Sequence, residues 1–256
     1  MDRKKPILTI IIPVYNEEEY IGRTLHSLGS AQGLEIVVVD GGSSDRTRDI
    51  AAQQGAMVME TEKGRARQMN VGATAARGDI LLFLHGDTRL PNGFMAAVEE
   101  TMTSGKWIAG AFRLGIDGPG GGLRLIAKLA NLRARLLKLP YGDQGIFLKR
   151  VDFIELGGYP EMPIMEDFCL VRRLRKKGRI RLLAETALTS DRRWRQLGII
   201  RTTLLNQLMV AGFLLGATPD RLARLYRGIR HRDDSGQPGP EGVAELAVAN
   251  EDEQQL

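Results

Sequence analysis

The sequence predicts an α/β fold of three layers, with a mostly parallel central sheet between helices and more helices at the C-terminal end. Two observations carry that prediction. Short apolar runs recur at ILTIIIPV, EIVVVD and DILLFLH, nearly continuous rather than alternating, as in strands buried on both faces. Stretches of helical periodicity separate them, and Gly41-Gly42 and Gly78-Asp79 supply turn chemistry at the junctions.

The first strand is ILTIIIPV. A basic head before it imitates a signal peptide, but the apolar run is short and leads into YNEEE rather than a small-residue cleavage site. A helix follows near Glu18 to Leu28, with Asn16 as its cap and Glu19 three residues on. EIVVVD is the second strand, and Ser44 or Asp45 caps a helix from Asp45 to Gln54. AMVMET is a short strand. Ala66 to Ala76 is helical, with the small Gly72 suited to close packing on the sheet. DILLFLH is a third strong strand, then Phe94 to Met102 a helix and WIAGAFRL a strand-like run. After the GPGGG break, Leu123 to Leu139 is amphipathic. Arg124, Lys128, Arg135 and Lys138 lie to one side, and Leu125, Ile126, Leu129, Leu132, Leu136 and Leu137 to the other. GIFLKR is a strand, a short helix runs through Phe153, and Glu166 to Lys177 is a helix stopped at Gly178.

At 256 residues the chain suffices for one large domain with a small appendage. Its 43% apolar and 26% charged content exclude a wholly disordered chain. A single cysteine, Cys169, excludes an internal disulfide framework and fits a reducing, cytoplasmic compartment. No run reaches the ~20 apolar residues of a membrane span. The net charge of +5 is modest, but Arg172 to Arg232 is dense in arginine and the end from Glu241 is acidic. Few aromatics are interleaved with these arginines, Trp194 foremost among them, which argues against nucleic acid.

Four acids stand where chemistry is expected: Asp40, Asp87 and the adjacent Glu166 and Asp167. Carboxylates at strand ends can hold a base, a ribose or a metal-bound diphosphate without full burial. Asp40 ends a strand before glycines that let a ligand approach; a plain capping turn is the alternative. No GxGxxG follows the first strand, but PVYNE puts Tyr15 where a base could lie. Lys63, Arg65 and Arg67 gather at a helix N-terminus, which attracts anions, and Asn70 lies one turn on. Asp87 in HGDT suits Mg²⁺ or Mn²⁺, hard cations that take one carboxylate plus substrate phosphates. His85, two residues earlier, reads as a ligand, a hydrogen-bond donor or a packed strand end. Asp143 and Gln144 sit in a glycine-flanked loop suited to a sugar or acceptor. Glu166 and Asp167 open a helix about 100° apart, so one of them faces the reaction. Arg193 and Trp194 could offer a cation to phosphate and a ring to a sugar, or Trp194 could be a core anchor.

Together these motifs resemble the family 2 glycosyltransferases of the GT-A fold, a Rossmann-like three-layer sandwich. The matching segments are IIPVYNEEEYIGRTLHSL, IVVVDGGSSDRT, ARQMNVGA, ILLFLHGDT and MEDFCLVRRLRKKG. PYGDQG and RRWRQLG look most like a small bacterial subgroup described as radical-SAM/selenodomain-associated or arsenosugar-type. The resemblance implies inverting transfer from a nucleotide-diphosphate sugar, UDP-linked by preference, to a hydroxyl of a small molecule or lipid, with a divalent metal. It makes Asp167 the base with Glu166 beside it, Asp87 the metal acid and Asp40 the base-binding acid. Pro13, Tyr15, Glu17, Gly41, Arg65, Arg67, Asn70 and Gly86 complete the donor side, and Asp143, Gln144, Arg193 and Trp194 the acceptor and diphosphate side. His85 replaces the usual first metal-binding acid, which changes what can be expected of the metal. The implied organisation is a transferase domain over 1–195, a helical extension over 196–230 and a disordered acidic tail over 231–256.

Two other functions compete: a sugar-1-phosphate nucleotidyltransferase, which should show a basic glycine-rich loop where this chain has PVYNEEE, and a catalytically silent binder of sugar nucleotides or lipid surfaces. The basic helices either pack on the domain or on a second subunit as a homodimer, or rest on the inner face of an anionic membrane.

Overall fold

The computed structural model of the chain describes residues 6–235. The chain divides into two compact units at Asp191/Arg192, a few residues before the boundary expected at 195/196.

The first unit is built on one eight-stranded sheet. Its strands are β1 (Leu8–Val14), β2 (Leu34–Asp40), β3 (Met57–Glu60), β4 (Ile80–Phe83), β5 (Thr88–Arg89), β6 (Ala109–Asp117), β7 (Ile146–Lys149) and β8 (Ile180–Ser190). Their order is β3-β2-β1-β4-β7-β6-β8-β5. The first four run parallel, as do β6 and β8, while β7 and β5 are antiparallel to their neighbours.

Burial on both faces explains the unbroken apolar strands. Leu8, Ile10 and Ile12 of β1 pack beneath α1 (Ile21–Leu28) and α4 (Phe94–Thr103), in a core that includes Leu25, Phe94 and Met102. Ile11 turns to the opposite face, toward α3 (Arg65–Ala75) and α7 (Glu166–Lys177), where Met69, Leu170 and Leu174 are buried. The close packing expected at Gly72 is present: a Cβ there would lie 2.5 Å from Ile11 Cγ2. Helices α2 (Thr47–Gln53), α5 (Gly121–Leu137) and α6 (Arg150–Glu155) complete this unit.

Several expectations need correction. Helix α1 begins at Ile21 rather than near Glu18, with Tyr20 at its cap. Asn16 instead takes a left-handed conformation (φ 52°), and its Oδ1 accepts from Ser44 N at 2.9 Å. The longest strand, β8, was not anticipated. Its partner β6 has a register irregularity between Ala111 and Arg113. In α5 the face packed inward is Leu123, Ala127 and Ala134, and the leucine stripe faces solvent.

The second unit contains α8 (Arg192–Leu197), α9 (Ile199–Leu214) and α10 (Pro219–Ser235). Helix α10 enters the stretch read as tail; residues 236–256 lie outside those described. No helix among the described residues is long and apolar enough to cross a membrane.

Candidate active site

The carboxyl ends of β1 and β2 pair at Val14 and Asp40, with β4 alongside, so three loops bearing predicted residues meet at one sheet edge. The first two loops are stapled together. Asn16 N donates to Ser43 Oγ at 2.9 Å, Glu17 N to Thr47 Oγ1 at 2.7 Å, and Glu18 N to Asp45 Oδ2 at 3.1 Å. Burial raises the Asp45 carboxyl, but hydrogen bonds from the Thr47 hydroxyl, Thr47 N and Glu18 N together outweigh it and hold the group below its usual range.

Asp40 reaches the site through its turn rather than through an open carboxylate. It is wholly buried, its Oδ2 accepts from Gly42 N at 2.9 Å and Ser43 N at 2.8 Å, and its Oδ1 from the Ser43 hydroxyl. Gly41 is close behind: a Cβ would meet the Gln68 side chain at 3.1 Å. Gln68, which sequence reasoning missed, donates from Nε2 to Val14 O and Val39 O, both at 2.8 Å. It ties the ends of β1 and β2 from beneath.

Around this edge, Tyr15 is exposed and Lys63 Nζ sits 3.5 Å from the centre of its ring. Pro13 is half-buried in β1. Glu17 and Gly86 pack together, since a Cβ on Gly86 would lie 3.3 Å from Glu17 Cγ.

The centre of the site is a chain of polar contacts across three elements. Arg65, the first residue of α3, sets Nε 2.6 Å from Glu166 Oε1 and Nη1 3.3 Å from His85 Nε2. Glu166 is 1% exposed, and burial pushes its carboxyl up, opposed by Arg65 and reinforced by Asp167. Its neighbour Asp167 is half-buried. Oδ2 of Asp167 accepts from Gly142 N at 2.8 Å, and Oδ1 from Phe168 N at 2.7 Å. A Cβ on Gly142 would stand 3.0 Å from Asp167 Oδ2 and 3.1 Å from His85 Nε2. The carboxylate and the imidazole therefore lie within about 6 Å of each other across one glycine. Before α7, Met165 takes a left-handed conformation (φ 73°), a strained turn of the kind that aims active-site side chains.

His85 to Thr88 forms a tight turn closed by Thr88 N donating to His85 O at 3.1 Å. Asp87 projects from it toward β8, where Ser190 Oγ donates to its Oδ2 at 2.8 Å and Thr189 Oγ1 approaches Oδ1 at 3.4 Å. A half-exposed, hydroxyl-braced carboxylate is a fit ligand for a hard cation whose other oxygens come from a diphosphate. His85 fits less well, because its Nε2 already faces the Arg65 guanidinium.

Other predicted residues do structural work. Asn70 gives both ends of its amide to Tyr159, donating to its O at 2.8 Å and accepting from its N at 2.9 Å. That clamp holds the loop ahead of α7, with Tyr159 stacked edge-on to Phe83 at 4.9 Å. Gln144 is wholly buried; Oε1 accepts from Tyr141 N at 3.1 Å and Nε2 donates to Phe112 O at 3.1 Å. Asp143 shares its 3₁₀ turn, Gly142–Gln144. Arg67 pairs with Glu62 and approaches Glu161 at 3.8 Å. Arg193 and Trp194 lie on α8 of the second unit. Gly142 carries a signal in the sequence, since it is the glycine of a short polar turn, the kind that lets backbone N–H reach a carboxylate.

The family model for glycosyl transferase family 2 matches residues 9–155, more than half of the chain and most of this sheet. The chain belongs to that family. The family 2 chain is 36% identical over 93 residues to the glycosyltransferase AglE of Haloferax volcanii, 32% of this chain and 31% of that protein. It spans less than half the length of the first curated relatives it matches. Its fold resembles TarS 1-349 of S. aureus in complex with UDP-GlcNAc (TM-score 0.59, 20% identity, 72% of this chain and 58% of that one). It also resembles the mannosyltransferase PcManGT from Pyrobaculum calidifontis in complex with GDP-Man and Mn2+ (TM-score 0.61, 17% identity, 96% and 80%). Both likenesses support the GT-A fold.

Proposed function

We propose that this family 2 domain transfers a sugar, with inversion, from a nucleotide-diphosphate sugar to a hydroxyl acceptor, and that Asp167 is the general base. One observation carries the reading: Asp167 Oδ2 and His85 Nε2 meet across Gly142, and Arg65 links that histidine to the buried Glu166. A proton acceptor, a cation and the turn bearing Asp87 are thus gathered at one sheet edge.

In the reaction, Asp167 takes the acceptor's hydroxyl proton as that oxygen attacks the anomeric carbon. The bond from that carbon to the diphosphate oxygen breaks on the opposite face, and the nucleotide leaves with the electron pair. The backbone N–H groups of Gly142 and Phe168 hold the carboxylate in one orientation for this task. Arg65 stands ready to offset charge on the departing diphosphate. Asp87 would hold a divalent cation, which when bound stabilises the same leaving group. Tyr15 and the stapled loops beneath it form the surface for the nucleoside.

UDP- and GDP-sugars are the donors to test first, because the fold neighbours carry UDP-GlcNAc and GDP-Man. Membership of the PYGDQG/RRWRQLG subgroup belongs to the same reading. Thermal shift across a nucleotide-sugar panel with Mn²⁺, followed by nucleotide-release assays with candidate acceptors, tests it. Asp167→Asn should keep nucleotide binding and lose turnover by ~10²–10⁴-fold. Undiminished turnover in that variant rejects the base. Nucleotide binding with no turnover in the wild-type protein across the panel favours the silent binder.

A further inference from the structure

Helix α5 is built inside out for a soluble domain. Its inward face is Leu123, Ala127 and Ala134, and Asn131 pins it to β6, accepting from Leu114 N at 2.7 Å and donating to Leu114 O at 2.9 Å. Small residues let the helix sit close to the strand. That choice turns the larger apolar residues outward: Leu125 is 57% exposed, Leu129 56%, Leu132 52% and Leu136 68%. Spaced by four, three and four, they fall within about 60° of arc on a 3.6-residue helix. They form a continuous apolar stripe on the side opposite the packed face.

Charge decides what covers such a stripe. Arg124, Lys128 and Arg135 flank it, Lys138 follows the helix, and all four are exposed. No aspartate or glutamate occurs between Asp117 and Asp143. The leucine spacing would also serve a two-stranded coiled coil between two copies of the chain. In that pairing the positions beside the seam would be Ile126, Lys128, Arg133 and Arg135, so cation would face cation across it. An anionic lipid surface takes the same stripe into its interfacial region and rewards every flanking charge.

We propose that α5 is a membrane-seating element, with Leu125, Leu129, Leu132 and Leu136 entering an anionic bilayer surface and the flanking arginines and lysines meeting lipid phosphates. The seat adjoins the candidate active site. Arg133 lies over the Tyr141 ring at 3.4 Å, and the next residue, Gly142, donates to Asp167. On the proposed function, a chain seated on α5 therefore carries the acceptor side of its site next to the headgroups.

The test is vesicle co-sedimentation of the full chain, which reads binding without any glycosyl transfer. Vesicles of phosphatidylcholine alone are compared with vesicles containing about one-third phosphatidylglycerol. Wild type should favour the anionic vesicles by about tenfold or more, with binding that falls as salt rises. Leu129→Gln with Leu136→Gln, and separately Lys128→Glu with Arg135→Glu, should each weaken that binding about tenfold or more. All four positions are exposed, and circular dichroism and thermal melts verify that the variants stay folded. Absent binding by wild type, equal binding to both vesicle types, or binding unchanged in both double variants overturns the proposal. So does a dimer in light scattering that the leucine variants dissolve, which would give the stripe to a second copy.

Discussion

Arg65 Nε lies 2.6 Å from Glu166 Oε1, and the two residues differ widely in exposure, at 40% and 1% for their side chains. The carboxylate has given up water and depends on the guanidinium; the guanidinium retains solvent. Removing the arginine strands a buried acid, whereas neutralising the acid strands little. Arg65→Ala should therefore destabilise the domain by about 2–4 kcal/mol, allowing for the exposure of Arg65. Adding Glu166→Gln should recover much of that loss. Urea unfolding of the two variants measures both, and an equal cost for single and double variants would remove the pair from the account.

The same pair predicts a pH dependence. Burial raises the Glu166 pKa above its ordinary 4.5, so the folded state binds this proton more tightly than the unfolded state does. The resulting stabilisation is complete below the unfolded pKa and fades as pH rises through the folded one. Glu166→Gln has no such titration. Its stability relative to wild type should accordingly improve as pH climbs from about 4.5. A constant difference across that range would show that Arg65 fully compensates the buried charge.

Gly142 sits where Asp167 and His85 converge, and its backbone is not in the left-handed region, so alanine costs little conformationally. The added Cβ, 3.0 Å from Oδ2 and 3.1 Å from Nε2, must push one of them by a few tenths of an ångström. Gly142→Ala should keep its melting temperature near wild type and lose roughly tenfold in turnover, since small misplacements of a base are expensive. An unaltered turnover would place the reacting atoms away from this contact.

What could be read from the sequence followed from how each feature is encoded. Strands β1, β2 and β4 were legible because burial on both faces writes an unbroken apolar run. Strand β8 was not, because its middle exposes Ala184 and Thr186 around a half-buried Glu185, and its own chain bulges there, three residues between Leu182 and Thr186 opposing one on β6. Asp87 and Asp167 were legible as acids at a strand end and a helix start. Asp40, read as a ligand contact or a capping turn, and Asn70 and Gln144, read as ligand contacts, each close a hydrogen-bond set with their own or a neighbouring loop. A polar side chain beside a glycine satisfies backbone groups as readily as it meets a ligand, and only coordinates separate the two. Helix α5 shows the same limit: its periodicity announces two faces, but the choice of inward face rests on Asn131 and the close approach that Ala127 and Ala134 permit.

Gln68 offers a structural counterpart to these functional tests. Its amide spans two strands, bonding Val14 O and Val39 O in a buried position. Gln68→Leu leaves both carbonyls without that donor and should cost about 2–4 kcal/mol from two such losses. Loss of stability in chemical denaturation checks this, and a near-neutral leucine would mean water replaces the amide.

The turn bearing His85 and Asp87 distinguishes two candidate metal ligands by their neighbours. Asp87 is braced by hydroxyls from Ser190 and Thr189, which orient a carboxylate without neutralising it. His85 presents Nε2 to the Arg65 guanidinium, where a second cation would be repelled. Asp87→Ala should therefore abolish the extra thermal stabilisation that Mn²⁺ confers in the presence of a nucleoside diphosphate. His85→Ala should retain most of that stabilisation while altering affinity for the nucleotide itself, because Arg65 loses its contact with the imidazole. Isothermal titration of nucleoside diphosphate with Mn²⁺ and with a chelator separates the effects. A His85→Ala protein that loses the metal-dependent increment as fully as Asp87→Ala would return the histidine to the ligand set.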